Sequence, residues 1–89
     1  MKLWLLEPVE NLNKNDNPWA RWHDKAFGFV VRAETEVNAR KIAASEAGDE
    51  NNWVRKRKIN PWIHVEYSTC IELLPDGPEE MILCDFHSA

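Results

Sequence analysis

One segment of the sequence has all the features of an α-helix, and it limits the folds open to a chain of 89 residues. Thr35 is a favourable N-cap residue, and Glu36 follows in the first turn, where the helix dipole favours a negative charge. The next residues are strong helix formers, and Gly48 suits a C-terminal cap. The sequence therefore predicts one helix over residues 35–47.

The predicted helix has one face of mostly small apolar residues. Four of them recur at helical spacing: Ala39, Ile42, Ala43 and Ala47. Such a face fits closely against a sheet, whereas Arg40 and Lys41 are predicted to point away.

Four other segments are short and rich in the apolar residues typical of strands. Residues 2–7 are apolar on both faces, which predicts a central strand. Residues 26–33 and 66–74 each alternate between two faces. Residues 75–78, Pro-Asp-Gly-Pro, form a strong turn signal, and residues 80–86 are predicted to pair back as the fourth strand.

The predicted order is strand, strand, helix, strand, strand. This is an α+β fold with two layers, β-β-α-β-β, in which one helix packs on a mainly antiparallel four-stranded sheet. The length fits a single domain over residues 1–89.

The charge distribution is acidic, with a formal net charge of −4. All four bases of residues 49–89 are consecutive, Arg55 to Lys58, among eight acids. An acidic surface argues against general nucleic-acid binding and suits docking on a basic partner. We find no signal peptide and no apolar run of the ~20 residues that a membrane span needs, and two cysteines do not make a disulfide scaffold. We expect a cytoplasmic protein.

Tryptophan is over-represented, with five in the chain. A small core cannot hide five indoles, and Trp and Arg are common at interface hot spots. We therefore expect the contact residues to be Trp19, Arg21, Trp22, Trp53, Arg55, Arg57 and Trp62. The alternative, equally favoured, is that Trp19 and Trp22 fold back over the sheet and close the core.

The basic run also suggests a second binding class. Arg55 to Lys58 lie between Trp53 and Trp62, so residues 53–62 have the composition of a nucleic-acid patch with stacking aromatics. A solvated loop is about twice as favoured, because charge runs commonly face solvent.

A zinc site is the sharpest chemical candidate. Its ligands would be Cys70, Cys84 and His87, with His23 or His64 as the fourth. Buried strand cysteines are the more favoured interpretation. Cys84, Asp85 and His87 could also form a nucleophilic set, but neighbouring strand residues point to opposite faces. The chain also has no Gly-rich phosphate loop. Because the sequence shows no recognisable catalytic set, we expect neither an enzyme nor a cofactor.

Three segments, residues 26–33, 36–44 and 47–50, resemble a group of short, uncharacterised proteins of phages, prophages and bacterial genomes. The resemblance covers residues 2–7 and 17–52, Ser68 to Cys70, and Asp85-Phe86; residues 54–65 depart from it. It brings no catalytic residues. Small acidic α+β proteins of this kind are common among phage inhibitors of bacterial defence, anti-CRISPR proteins included.

By this analogy, we expect a non-enzymatic protein-binding module that blocks a CRISPR effector or another host nuclease complex sterically, in the host cytoplasm. The alternatives are a nucleic-acid-binding accessory protein using residues 53–62 and a small zinc-stabilised domain. The chain is expected to be a monomer or a homodimer, because a four-stranded sheet leaves two edges for pairing.

Overall fold

The fold is known from a computed structural model that describes residues 1–9, 12, 18–19, 26–47 and 60–84. The elements are β1 (Lys2–Pro8), β2 (Phe29–Ala33), α1 (Glu36–Glu46) and β3 (Ser68–Leu73). The strands form an antiparallel sheet in the order β2-β1-β3, and α1 contacts this sheet. The α+β prediction is confirmed in this coarser form, β-β-α-β. No helix in these ranges is long and apolar enough to cross a bilayer.

The central position of β1 is confirmed, and its composition explains it. Trp4 and Leu6 point to the helix side, where they join the core, whereas Leu5 is buried on the opposite face. A strand with apolar residues on both faces is suited to the middle of a sheet, where side chains of the two neighbouring strands lie beside its own on each face. Leu5 pairs with Val30 of β2 and with Ile71 of β3.

The predicted fourth strand is wrong for residues 80–84, which are described and belong to no strand. These residues are exposed, including Met81, Ile82 and Leu83. Pro75 and Pro78 flank the turn that was expected to start the hairpin. Because proline has no N–H, it cannot donate to a strand ladder, and the chain leaves the sheet after Leu73. Residues 85–86 lie outside the described residues.

The start of the helix agrees with the prediction. The Asn38 N–H donates to the Thr35 hydroxyl oxygen at 3.2 Å, so Thr35 is the N-cap. Ala39 and Ala43 are fully buried against the sheet. Ile42, which was expected on the same face, is exposed. Gly48 lies outside the described residues.

Arg40 is the main departure from the predicted helix, because its side chain is buried rather than pointing away. The residue is only 5% exposed. Its Nε donates to a Glu36 carboxylate oxygen at 2.9 Å, one turn earlier in α1. The two terminal nitrogens donate to the Ser68 hydroxyl at 2.8 Å, the Ser68 carbonyl at 3.1 Å and the Trp62 carbonyl at 3.2 Å. The buried charge is therefore solvated by the protein itself.

We expect Arg40→Ala to lower the free energy of unfolding by about 3 kcal/mol, because it orphans the buried Ser68 and Trp62 carbonyls. The free energy of unfolding of Arg40→Lys should lie between those of wild type and Arg40→Ala, because one ammonium group cannot make all the hydrogen bonds of the guanidinium. Urea unfolding measures both changes. Lys41→Ala, on the next and exposed residue of α1, is the control and should change stability by less than ~0.5 kcal/mol. Equal losses of stability in Arg40→Ala and Lys41→Ala would contradict the buried, hydrogen-bonded position of Arg40.

Candidate functional site

Two of the tryptophans expected as contact residues, Trp19 and Trp62, lie in the core, which for Trp19 is the alternative that the sequence favoured equally. Trp62 is 0% exposed and Trp19 is 6% exposed. The Trp62 ring lies edge-on to Trp19 at 4.8 Å and to Phe29 at 4.9 Å between centroids. The Trp19 indole N–H donates to the Tyr67 carbonyl at 3.1 Å. Both side chains therefore hold the fold together and present no surface to a partner.

A tight turn directs Trp62 into the core. The Asn60 side-chain oxygen accepts a hydrogen bond from the Trp62 backbone N–H at 2.9 Å, an arrangement that asparagine favours in turns. The Asn60 carbonyl also accepts from the Ile63 and His64 N–H groups at 3.1 and 3.2 Å. Because α1 offers only alanines on its apolar face, large aromatic rings fill the remaining space.

The other predicted contact residues cannot be placed. Arg21, Trp22, Trp53, Arg55 and Arg57 lie outside the described residues. Their proposed role in binding, and the basic patch that most of them form, remain predictions.

The candidate zinc ligands are only partly described. Cys70 lies half-buried on the core side of β3, Cys84 is exposed, and His87 lies outside the described residues. Within the described ranges, no three Cys, His, Asp or Glu side chains cluster as a metal ion would require. Burial raises the pKa of the Cys70 thiol, and the nearby Arg40 guanidinium opposes this rise without cancelling it. A thiol kept protonated is a poor nucleophile.

The sheet face opposite the helix is a feature that the sequence analysis missed. Val30 is 54% exposed and Ile71 is 58% exposed on either side of the buried Leu5. Leu3 and Leu73, also on this face, are half-buried. We call this surface the open face. The signal for it was the two-sided apolar pattern of residues 2–7, since a single helix covers only one side.

A groove of about 420 Å³ lies at the β3 side of the open face. Leu5, Ile71 and Leu73 line it from the sheet, and the segment after β3 contributes Asp76, Gly77, Pro78, Glu80, Met81 and Ile82. The ionisable residues among those that line the groove are Glu7, Glu72, Asp76 and Glu80, and all four are acidic. Glu72 is paired with Trp4 in the sheet, so its side chain lies on the helix side. The groove therefore combines apolar residues of the sheet with acidic residues.

Trp62→Ala should lower the free energy of unfolding by about 3–5 kcal/mol, because it leaves a large cavity in the core. Val37→Ala removes an exposed apolar side chain from α1 and should change it by less than ~0.5 kcal/mol. Thermal or urea unfolding separates these outcomes. A folded Trp62→Ala variant of unchanged stability would restore Trp62 as a surface residue.

The cysteines should differ in reactivity, because only thiolates react quickly with alkylating agents. We expect Cys84 to react with iodoacetamide about tenfold faster than Cys70 at neutral pH, and the pH profile of Cys70 to be displaced to higher pH. Mass spectrometry of the two peptides measures both rates. Faster labelling of Cys70 would contradict the assigned burial.

Comparison with known proteins adds no relative to these observations. No protein-family model, no curated protein and no solved structure matches the chain.

Proposed function

We propose that this chain is a non-enzymatic protein-binding module that contacts its partner through the open face. The observation that carries the proposal is the exposed apolar surface around Leu5, where Val30 and Ile71 are each more than half exposed. Exposed apolar side chains on one sheet face are typical of interaction sites, because water leaves them favourably when a partner docks.

In its narrower form, the proposal is a phage-encoded inhibitor that blocks a bacterial defence nuclease, such as a CRISPR effector, by occupying its basic nucleic-acid surface. The resemblance to small phage and prophage proteins supports this form. So does the net charge of −4, because an acidic protein is drawn towards a surface built to bind phosphates.

The nucleic-acid and zinc alternatives depend largely on residues that lie outside the described part of the chain. The nucleic-acid hypothesis loses Trp62 as a stacking residue, because this ring is buried. The zinc hypothesis has no cluster of three ligands among the described residues, and His87 lies outside them.

The test is affinity capture from a nuclease-treated lysate of the host cell, read by mass spectrometry. We expect one stoichiometric protein partner that is retained after nuclease treatment. Val30→Lys should abolish its capture, because the substitution places a charge in the apolar contact, whereas Val37→Lys on the exposed side of α1 should not.

Circular dichroism and thermal unfolding must show that both variants stay folded. Recovery of nucleic acid alone, lost after nuclease treatment, would favour the accessory-protein alternative instead. Equal capture by wild type and Val30→Lys would overturn the open face as the contact surface.

A further inference from the structure

We propose that the open face binds an amphipathic helix of the partner protein, with an apolar stripe over Leu5 and Ile71 and with Lys or Arg along the flank beside the groove. The inference rests on the proposed function and deepens it, because it assigns the structure and the charge of the partner segment. Two features carry it. The open face is apolar at its centre, and carboxylates that form no ion pair within the described part of the chain share this face.

The centre of the open face is a row of three apolar side chains, one from each strand. Leu5 of β1 lies between Val30 of β2 and Ile71 of β3, which are its partners in the register. Val30 and Ile71 are 54% and 58% exposed. Leu3 and Leu73, two residues further along β1 and β3, extend the apolar surface on the same face. An occupant of this face therefore meets apolar side chains across all three strands.

The occupant of such a surface must satisfy its own backbone hydrogen bonds. The N–H and C=O groups of a sheet bond to neighbouring strands within the sheet, so its face offers only side chains. A backbone group buried against the apolar row without a partner would cost about 1–3 kcal/mol. A helix makes its backbone hydrogen bonds internally, and helix on sheet is the packing that α1 already makes on the other face. A helix therefore suits this surface better than an extended segment laid across it.

Carboxylates lie beside the apolar row on the β3 side. Glu7 is two residues from Leu5 on β1, so it lies on the same face. Asp76 and Glu80 line the groove together with Leu5 and Glu7. None of these three acids forms an ion pair with a described residue. Glu72 takes no part, because its side chain lies on the helix side, where it is already paired with a lysine.

These carboxylates select for Lys or Arg on the flank of the helix that faces the groove. Residues on either side of an apolar helical stripe lie at the margin of the contact. A long basic side chain there can rest its methylene groups on apolar surface and direct its charge to the acids. Arg32, paired with Leu3, is the only base among the described strand residues of the open face, and it does not line the groove. The bases are therefore expected on one flank of the helix, and complementary charges would also speed the encounter.

A second copy of this chain does not supply such a helix. The only helix in the described ranges is α1, whose bases are Arg40 and Lys41. Arg40 is buried, and Lys41 is outnumbered by Glu36 and Glu46. Packing two copies open face to open face would bring three carboxylates of each copy into one interface, with a single arginine from each, Arg32. Like charges held together in an interface are unfavourable.

The direct test uses fluorescein-labelled peptides of about 18 residues, or five helical turns, and fluorescence anisotropy on the full-length protein. The first peptide has a stripe of Leu flanked by Lys at helical spacing. In the second, Glu replaces the flanking Lys, and in the third, Pro replaces two central polar residues and breaks the helix. We expect the first peptide to bind about tenfold more tightly than either of the others. Its affinity should fall with added salt, because exposed charges are screened.

One variant tests the apolar row without changing the charge of the protein. Ile71→Asn removes an exposed apolar side chain from the centre of the face and should weaken binding of the Lys-flanked peptide about tenfold. Val37→Asn removes an exposed apolar side chain from α1 and is the matched control, which should bind as wild type. Circular dichroism and thermal unfolding verify that both variants stay folded.

A second variant tests the charges by neutralising the groove acids that lie with the open face, Glu7→Gln, Asp76→Asn and Glu80→Gln. It should weaken binding about tenfold and remove most of the salt dependence. The matched control neutralises exposed acids that do not line the groove, Glu34→Gln, Glu46→Gln and Glu66→Gln. Because both variants change the net charge equally, only a local effect separates them, and the control should bind within about twofold of wild type.

Three outcomes would overturn the inference. Equal weakening by the two triple variants would show that net charge alone explains the binding. Equal affinity of the Lys-flanked peptide and its Pro-containing counterpart would exclude a helix as the occupant. A wild-type dimer in solution that Ile71→Asn converts to a monomer would assign the face to a second copy.

The lysate capture separates the inference from the proposed function. If the partner is lost with Val30→Lys but captured equally by wild type, Ile71→Asn and the groove-acid variant, the inference fails and the proposed function stands. If wild type captures no protein, the proposed function itself fails, and the inference fails with it.

Discussion

The side chain of Arg40 is the interaction on which the rest of the structure depends. Its guanidinium lies between the helix, the turn that contains Trp62 and the first residue of β3, and it hydrogen-bonds to all three. The apolar face of α1 is built from alanines, which bury little surface, so the helix gains directional bonds where other small domains rely on leucines. The same bonds hold the Trp62 carbonyl while its indole fills the core. The helix, the aromatic cluster and the edge strand are therefore one cooperative unit.

Local sequence patterns predicted the central strand and the helix of this fold. They could not predict contacts between residues far apart in the sequence. The two-sided apolar pattern of residues 2–7 gave the central strand, and Thr35 gave the start of the helix, because each depends on near neighbours. Arg40 was misjudged because helical periodicity assigns every arginine to the solvent side. Its partner Ser68 lies 28 residues away. The helical sequence contains no information about the hydroxyl and carbonyl groups that Ser68 provides.

The candidate site shows the same limit. An excess of tryptophan has two physical meanings, interface or core filling, and only the volume left by neighbouring side chains decides between them. Here the alanine face of α1 leaves that volume, so Trp19 and Trp62 occupy it. Residues 80–84 form no strand, which the prolines that flank the predicted turn explain, so no described strand pairs with the outer edge of β3. The open face has another origin, because the single helix α1 covers only one side of the sheet.

The order of the strands also affects how the chain is made. β1 comes first in the sequence, yet it forms the middle of the sheet, and its pairing partner in β3 runs from Ser68 to Leu73. During synthesis at about 5–20 residues per second, β1 must wait several seconds before β3 exists. Contacts so distant in sequence also slow folding, because a long loop must close before they form. An apolar strand with no second neighbour is a template for aggregation during that interval. The nascent chain is therefore most vulnerable to aggregation before translation reaches β3.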